Sequence, residues 1–152
     1  MDVMDTNYAA PGRSPVPESV GRSQAWRSLA LIGFVVAILV QMYALYLYVP
    51  GPATSDPIPH ADKVIHAALF AIPAFLGVLA RLPMSLVIVL LALHAPVSEF
   101  VQHHLIPVRG GDPWDLVADW VGILVGVLAA RWVLGRRLFN PAEIRSGRSA
   151  SR

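Results

Sequence analysis

Four long apolar runs constrain this chain more than any other feature. They lie near residues 29–49, 62–80, 83–104 and 112–134, and each is close to the roughly 20 residues that a helix needs to cross a bilayer. Only 14% of the residues are charged, whereas a soluble domain has about 25%. The sequence therefore predicts an all-α membrane protein, a bundle of four transmembrane helices that contacts the lipid bilayer. No nucleic-acid partner is expected.

Polar ends flank this single transmembrane domain. Residues 1–27 are rich in Pro, Gly and Ser, and residues 135–152 are basic and rich in Ser. Both ends are predicted to be disordered tails around a domain over residues 28–134. The first apolar run is too long for a signal peptide, and it ends in tyrosines rather than small residues. Pro73 and Pro96 predict kinks in the second and third spans.

The basic residues are distributed unevenly between the two sides of the predicted bundle. With four spans, both tails lie on one side of the membrane, and ten of the 12 Lys and Arg residues lie on that side. These ten are Arg13, Arg22, Arg27, Arg81, Arg131, Arg136, Arg137, Arg145, Arg148 and Arg152. Because cytoplasmic loops carry the excess of Lys and Arg, the sequence predicts a multi-pass plasma-membrane protein with both termini in the cytoplasm.

Ionisable residues inside the last three runs mark a candidate functional site, because charges are expensive at membrane depth. The candidate residues are Asp62, Lys63 and His66 in the second span, Glu99 and Gln102 in the third, Arg109 after a short turn, and Asp115 and Asp119 in the fourth. At 1.5 Å per residue, His66, Glu99 and Asp119 lie about 6–10 Å below the outer ends of their helices. We therefore expect His66, Glu99, Arg109 and Asp119 to converge in one outward-facing cluster.

The fourth span carries two further signals. Asp112, Pro113 and Asp115 form a helix opening in which an acidic N-cap is followed by proline and a second acid. Gly122 and Gly126 continue the stripe of acidic residues at helical spacing. Small residues four apart allow close approach of another helix, so these glycines are predicted to lie at a helix–helix contact.

The charge balance of the candidate site leaves its chemistry open. Four acids against Lys63 and Arg109 give a formal charge of −2 with neutral histidine, and a buried cluster does not retain such an imbalance. A protonated acid, a charged His66 or a bound cation would each relieve it. The alternatives are a purely structural ion-pair network, and a Lys63 that only extends to the membrane interface.

The sequence assigns no metal or cofactor. His66, Glu99 and Asp119, with His103 as a possible fourth, are residue types that bind metals. However, there is no HExxH or other dense ligand spacing, and the chain has no cysteine. His94 lies near mid-bilayer and is interpreted as a neutral, hydrogen-bonded packing residue.

The motif residues resemble the VanZ-like family of small bacterial membrane proteins, some of which are linked to teicoplanin resistance. The resemblance covers residues 60–130, and it rests on Asp62-Lys63-Val64-Ile65-His66, Glu99-Phe100-Val101-Gln102, Arg109, and Asp115-Leu116-Val117-Ala118-Asp119 followed by Gly122 and Gly126. Asp119 stands where the family commonly has Asn. The resemblance implies a role at the cell envelope, with a lipid-linked cell-wall precursor or a glycopeptide as the partner.

Three functions are compatible with these residues. A non-enzymatic role in glycopeptide resistance is favoured. An alternative is an integral-membrane enzyme that acts on a lipid-linked substrate, with Glu99 as general base and with Lys63 and Arg109 holding phosphate. A second alternative is a small transporter or transporter subunit, which would require oligomers because four spans provide few helices for a transport path.

Overall fold

The computed structural model describes residues 18–48, 61–106 and 112–138 of the 152-residue chain. These residues contain four long α-helices, which are α1 (Glu18–Met42), α2 (Ala61–Leu79), α3 (Met84–Leu105) and α4 (Pro113–Leu138). All four are long and apolar enough to cross a membrane. The chain is therefore a multi-pass membrane protein with four candidate spans, as the apolar runs predict.

The first helix differs most from its prediction. It begins at Glu18, inside the segment predicted as a disordered tail, because the sequence contains no proline between Pro17 and Pro50 to interrupt a helix. Helix α1 is followed directly by a π-helical turn over Tyr43–Leu47, and the Tyr48 N–H donates to the Tyr43 carbonyl oxygen (2.8 Å). The rest of both predicted tails, together with Arg109, lies outside the described residues.

Helix α2 contacts each of the other helices, and its contact with α4 is the most extensive. A Cβ atom added at Gly122 would overlap the Ala67 carbonyl oxygen and lie 2.9 Å from the carbonyl carbon. At Gly126 it would overlap the Ala71 carbonyl oxygen and lie 3.0 Å from the Ala74 Cβ. The two glycines therefore let α4 approach the backbone of α2 directly, which confirms the predicted helix contact.

Apolar side chains fill the interior beyond this contact and cover the outside of the bundle. Buried members of the core are Leu45, Phe70, Ala74, Val78, Val87, Leu91, Ala95, Ile123, Val127 and Ala130. Many large apolar side chains of all four helices are exposed, among them Leu39 and Leu93 at 62% each. A soluble protein rarely exposes so much contiguous apolar surface, whereas a bilayer solvates it.

A tight turn joins α2 to α3. Arg81 has a φ angle of 62°, the Arg81 N–H donates to the Val78 carbonyl oxygen (3.0 Å), and the Leu82 N–H donates to that of Gly77 (3.1 Å). This is the hydrogen-bond pattern of a Schellman cap. Pro83 then precedes α3. The cap ends α2 and aligns α3 antiparallel beside it.

Both internal prolines are accommodated within continuous helices. Helix α2 runs through Pro73 and α3 through Pro96. Because Pro96 has no N–H, it leaves the Ala92 carbonyl oxygen without its helical donor. The Trp120 indole N–H of α4 donates to that oxygen instead (3.3 Å), so a proline in one span is compensated by a tryptophan in another.

Candidate functional site

The starts of α2 and α4 and the end of α3 lie together at one end of the bundle, which we call the cluster end. Helices α2 and α4 are linked there by Lys63, and α3 contributes Glu99 in its last two turns. The buried polar residues His66, Asp115 and Asp119 lie at this end as well. The predicted convergence of α2, α3 and α4 around ionisable residues is therefore present in the fold.

Lys63 is surrounded by three carboxylates. Its Nζ donates to Asp62 Oδ2 (2.9 Å), to Asp112 Oδ2 (2.7 Å) and to Asp115 Oδ1 (3.2 Å). An ammonium group has three N–H donors, and each of these is used. Lys63 therefore ties the start of α2 to the start of α4, rather than only extending to the interface.

Asp112 combines this ion pair with a capping role. Its Oδ1 accepts a hydrogen bond from the Trp114 backbone N–H (2.9 Å) at the start of α4, which confirms the predicted N-cap. The hydrogen bond from Lys63 holds the pKa of the Asp112 carboxyl below its usual range. Asp112 thus stays ionised at both of its contacts, and its pairing with Lys63 is not foreseen by the sequence.

The deeper part of the site, which we call the carboxylate–histidine cluster, consists of His66, Glu99, Asp115 and Asp119. His66 Nδ1 and Asp119 Oδ1 are 3.1 Å apart, and because an ionised carboxylate can only accept, we assign the proton of this hydrogen bond to Nδ1. Glu99 Oε1 lies 3.7 Å from the same nitrogen, and Asp115 Oδ2 lies 4.0 Å from His66 Nε2. The imidazole is therefore enclosed by three carboxylates from two neighbouring helices.

Burial makes the concentration of negative charge in this cluster energetically unfavourable. The Asp119 side chain is fully buried, and those of His66, Glu99 and Asp115 are at most 12% exposed. Asp119 Oδ2 and Glu99 Oε1 are buried and have no hydrogen-bond partner among the described residues. With Asp62, Asp112 and Lys63 included, the described site contains five acids and one lysine. Its formal charge is therefore −4 when His66 is neutral and −3 when His66 is charged.

The other candidate residues have different positions. Gln102 is buried, but its Nε2 donates to the Leu45 carbonyl oxygen of the π-helical turn (3.1 Å), so it fastens α3 to the end of α1 instead of contacting the acids. His103 is on the exposed side of α3. Arg109 lies outside the described residues, and its predicted place in the cluster stays a prediction.

Two polar positions in the bundle were not part of the predicted site. Tyr46 Oη and His94 Nε2 are 2.8 Å apart, and the His94 ring packs on Phe70 with ring centroids 5.6 Å apart, which agrees with the interpretation of His94 as a hydrogen-bonded packing residue. Gln41 is fully buried, and neither polar atom of its side chain has a partner among the described residues. A lone polar residue within an apolar run is the only sequence signal for Gln41.

An open groove of about 590 Å³ runs beside the cluster between α2 and α4. Its lining is almost entirely apolar, and it begins at Lys63 and Trp114 at the cluster end. The remaining lining residues are Val64, Ala67, Val117, Ala118 and Val121. The groove therefore presents an apolar surface between α2 and α4 that ends beside the acidic residues of the cluster end.

Comparison of the chain with protein-family models, with curated proteins and with solved structures finds no match. The resemblance to VanZ-like proteins therefore depends on the motif residues alone.

Proposed function

We propose that this protein is a VanZ-like cell-envelope protein that lowers susceptibility to glycopeptides by engaging a lipid-linked cell-wall precursor at the outer leaflet. The observation that carries the proposal is that three of the motif pieces, those that begin at Asp62, Glu99 and Asp115, meet in one place. Lys63 pairs with Asp115, His66 pairs with Asp119, and Gly122 packs on the backbone next to His66. Residues that are far apart in the sequence thus form one buried site.

Two further features support this ligand and this side of the membrane. The apolar groove that begins at Lys63 gives a lipid chain a path beside the polar cluster. The concentration of basic residues on the side of the tails supports an outward-facing cluster end. A drug that sequesters cell-wall precursors acts on that same face.

The alternative functions receive less support. In the enzyme hypothesis Lys63 holds phosphate, but its three N–H donors are already used by aspartates. In the transporter hypothesis one chain supplies few helices for a transport path, and most of the buried residues described beyond the cluster are apolar. A non-enzymatic role at the outer leaflet remains the better account.

The direct test is teicoplanin susceptibility of a glycopeptide-susceptible bacterium that expresses the chain. We expect the minimal inhibitory concentration of teicoplanin to rise above that of the empty-vector strain, with no change for an antibiotic that acts inside the cytoplasm. An unchanged teicoplanin value, with the protein detected in the membrane at normal abundance, would contradict the proposed function.

Orientation can be measured separately, because the chain has no cysteine and single cysteines therefore report without background. Thr54 lies in the sequence between α1 and α2, and Ser149 lies near the C-terminus. In intact cells a membrane-impermeant maleimide should label Thr54→Cys, and it should label Ser149→Cys only after lysis. The reverse pattern would place the cluster end in the cytoplasm.

A further inference from the structure

The carboxylate–histidine cluster has the donor set and the spacing of a metal site. His66, Glu99 and Asp115 each offer one ligand atom, and these three atoms all lie within 4.8 Å of one another. His66 Nε2 and Asp115 Oδ2 are 4.0 Å apart. Two ligands that each lie about 2.1 Å from one ion are themselves roughly 3–4 Å apart, so a small inward movement of these side chains suffices to hold an ion.

Buried carboxylate oxygens that have no partner among the described residues indicate independently that the carboxylate–histidine cluster has more negative than positive charge. Asp119 is fully buried, and its Oδ2 has no hydrogen-bond partner among the described residues; the same is true of the buried Glu99 Oε1. A buried ionised carboxylate without a compensating partner is strongly unfavourable, and more so where lipid replaces water.

The neighbouring group of three aspartates has a positive charge beside it. Asp62, Asp112 and Asp115 also offer one carboxylate oxygen each, and these three atoms all lie within 4.8 Å of one another. The Lys63 ammonium already hydrogen-bonds all three of these residues. At the deeper cluster the described residues supply no second ammonium or guanidinium group, and only the His66 imidazole is available.

We propose that His66, Glu99 and Asp115 bind one divalent transition-metal ion of the Zn²⁺ type. An imidazole combined with carboxylates favours Zn²⁺ or a similar ion over Ca²⁺ and Mg²⁺, which prefer all-oxygen sites. His66 Nε2 is the ligand nitrogen, because Nδ1–H already donates to Asp119. Asp119 is a positioning residue: a carboxylate on the far nitrogen of a metal-binding histidine fixes the ring orientation and raises its basicity.

The positions of the three ligands explain why the sequence contains no metal-binding motif. Its three ligands come from three different helices, α2, α3 and α4, so no local spacing connects them. The inference goes beyond the proposed function and does not depend on it, because metal binding is measured on the purified protein without any glycopeptide.

The test is calorimetric titration of ZnCl₂ into the full-length chain, purified without a polyhistidine tag and placed in lipid nanodiscs, with bound metal counted by elemental analysis. We expect one Zn²⁺ per chain and at least tenfold weaker binding of Mg²⁺. His66→Gln should weaken Zn²⁺ binding by a hundredfold or more, and Asp119→Asn by roughly 10–100-fold because it only orients the ring. His104→Gln is the matched control, since His104 is exposed near the end of α3, and it should leave the affinity unchanged.

Thermal unfolding keeps the test decisive if a variant is unstable. Zn²⁺ binds only the folded site, so it should raise the melting temperature of the wild type, and it should raise that of Asp115→Asn much less. The proposal is overturned if the wild type binds no Zn²⁺, or if a folded His66→Gln or Asp115→Asn protein binds it as tightly as the wild type. Equal weakening by His104→Gln would also overturn it, because it would indicate surface binding.

Discussion

The contact between α2 and α4 supports the whole site, and adding one methyl group at Gly122 tests it. In Gly122→Ala the new Cβ would overlap the Ala67 carbonyl oxygen and lie 2.9 Å and 3.0 Å from the Ala67 carbonyl carbon and Cα. Non-bonded carbon atoms prefer about 3.5–4.0 Å. The obstacle is helix backbone, which cannot rotate away, so α4 must move outward by about 1 Å.

That displacement reaches the carboxylate–histidine cluster, because His66 adjoins Ala67 and Asp119 lies one turn before Gly122. The His66–Asp119 hydrogen bond, now 3.1 Å, would stretch beyond the distance at which such bonds hold. Overpacking costs about 1–3 kcal/mol, and a lost hydrogen bond to a charged group about 1.5–3 kcal/mol. The higher helix propensity of alanine returns about 1 kcal/mol, so we expect a net loss of about 2 kcal/mol or more.

Gly135→Ala is the matched control, since it makes the same substitution in the same helix at a position where a Cβ meets no atom of the described residues within 4 Å. It should leave the free energy of unfolding unchanged or raise it by up to about 1 kcal/mol. Both variants can be measured by thermal and SDS-induced unfolding in the same detergent. If Gly122→Ala proved as stable as Gly135→Ala, the close backbone contact between α2 and α4 would be refuted.

Three further predictions address other polar positions. Gln41→Met should raise the free energy of unfolding by about 1–3 kcal/mol, because it removes a buried amide without partners among the described residues; reduced stability in the same unfolding assay would mean that Gln41 has a partner. Trp120→Phe should lower it by about 1 kcal/mol, because the Ala92 carbonyl oxygen loses its donor, whereas unchanged stability would argue against that hydrogen bond. Lys63 lowers the pKa of Asp112, so this carboxyl stabilises the fold above its ordinary pKa of about 4, and that stabilisation is lost as the pH falls through the lowered pKa. Below pH 4 the melting temperature of Asp112→Asn should therefore fall less than that of the wild type. Equal falls in the two proteins would contradict this prediction.

The apolar runs predict the architecture of the bundle because run length alone determines whether a helix can cross a bilayer. The ends of α2, α3 and α4 lie within a few residues of the predicted spans. Both glycines occupy the predicted contact, and Asp112 caps α4 as expected. Helix α1 begins at Glu18, before the predicted span, because polarity marks where lipid ends, whereas a helix can continue into water.

The sequence predicts the members of the site better than their partners. Helical spacing and depth bring His66, Glu99 and Asp119 together, but these two measures do not define which helix lies beside which. The pairing of Lys63 with Asp112, and of Gln102 with the Leu45 carbonyl oxygen, depends on that arrangement. The π-helical turn at Tyr43–Leu47 likewise has no local signal in composition or periodicity.

The central claim is that the Glu99 carboxylate performs a function and does not merely hold the bundle together. Glu99→Gln keeps the shape of the side chain and removes one charge from a site with a formal charge of −3 to −4. If the cluster were only structural, removing an acid should be tolerated or even stabilising, because like charges repel. Glu18→Gln is the matched control, since it makes the same substitution at the first residue of α1, which is not a member of the cluster.

The decisive measurement is the teicoplanin susceptibility of cells that contain equal membrane amounts of wild type, Glu99→Gln and Glu18→Gln. We predict that Glu99→Gln loses the protection conferred by the wild type while its melting temperature is kept or raised, and that Glu18→Gln retains protection. Full protection by Glu99→Gln would contradict the account and leave the carboxylate–histidine cluster as a structural network.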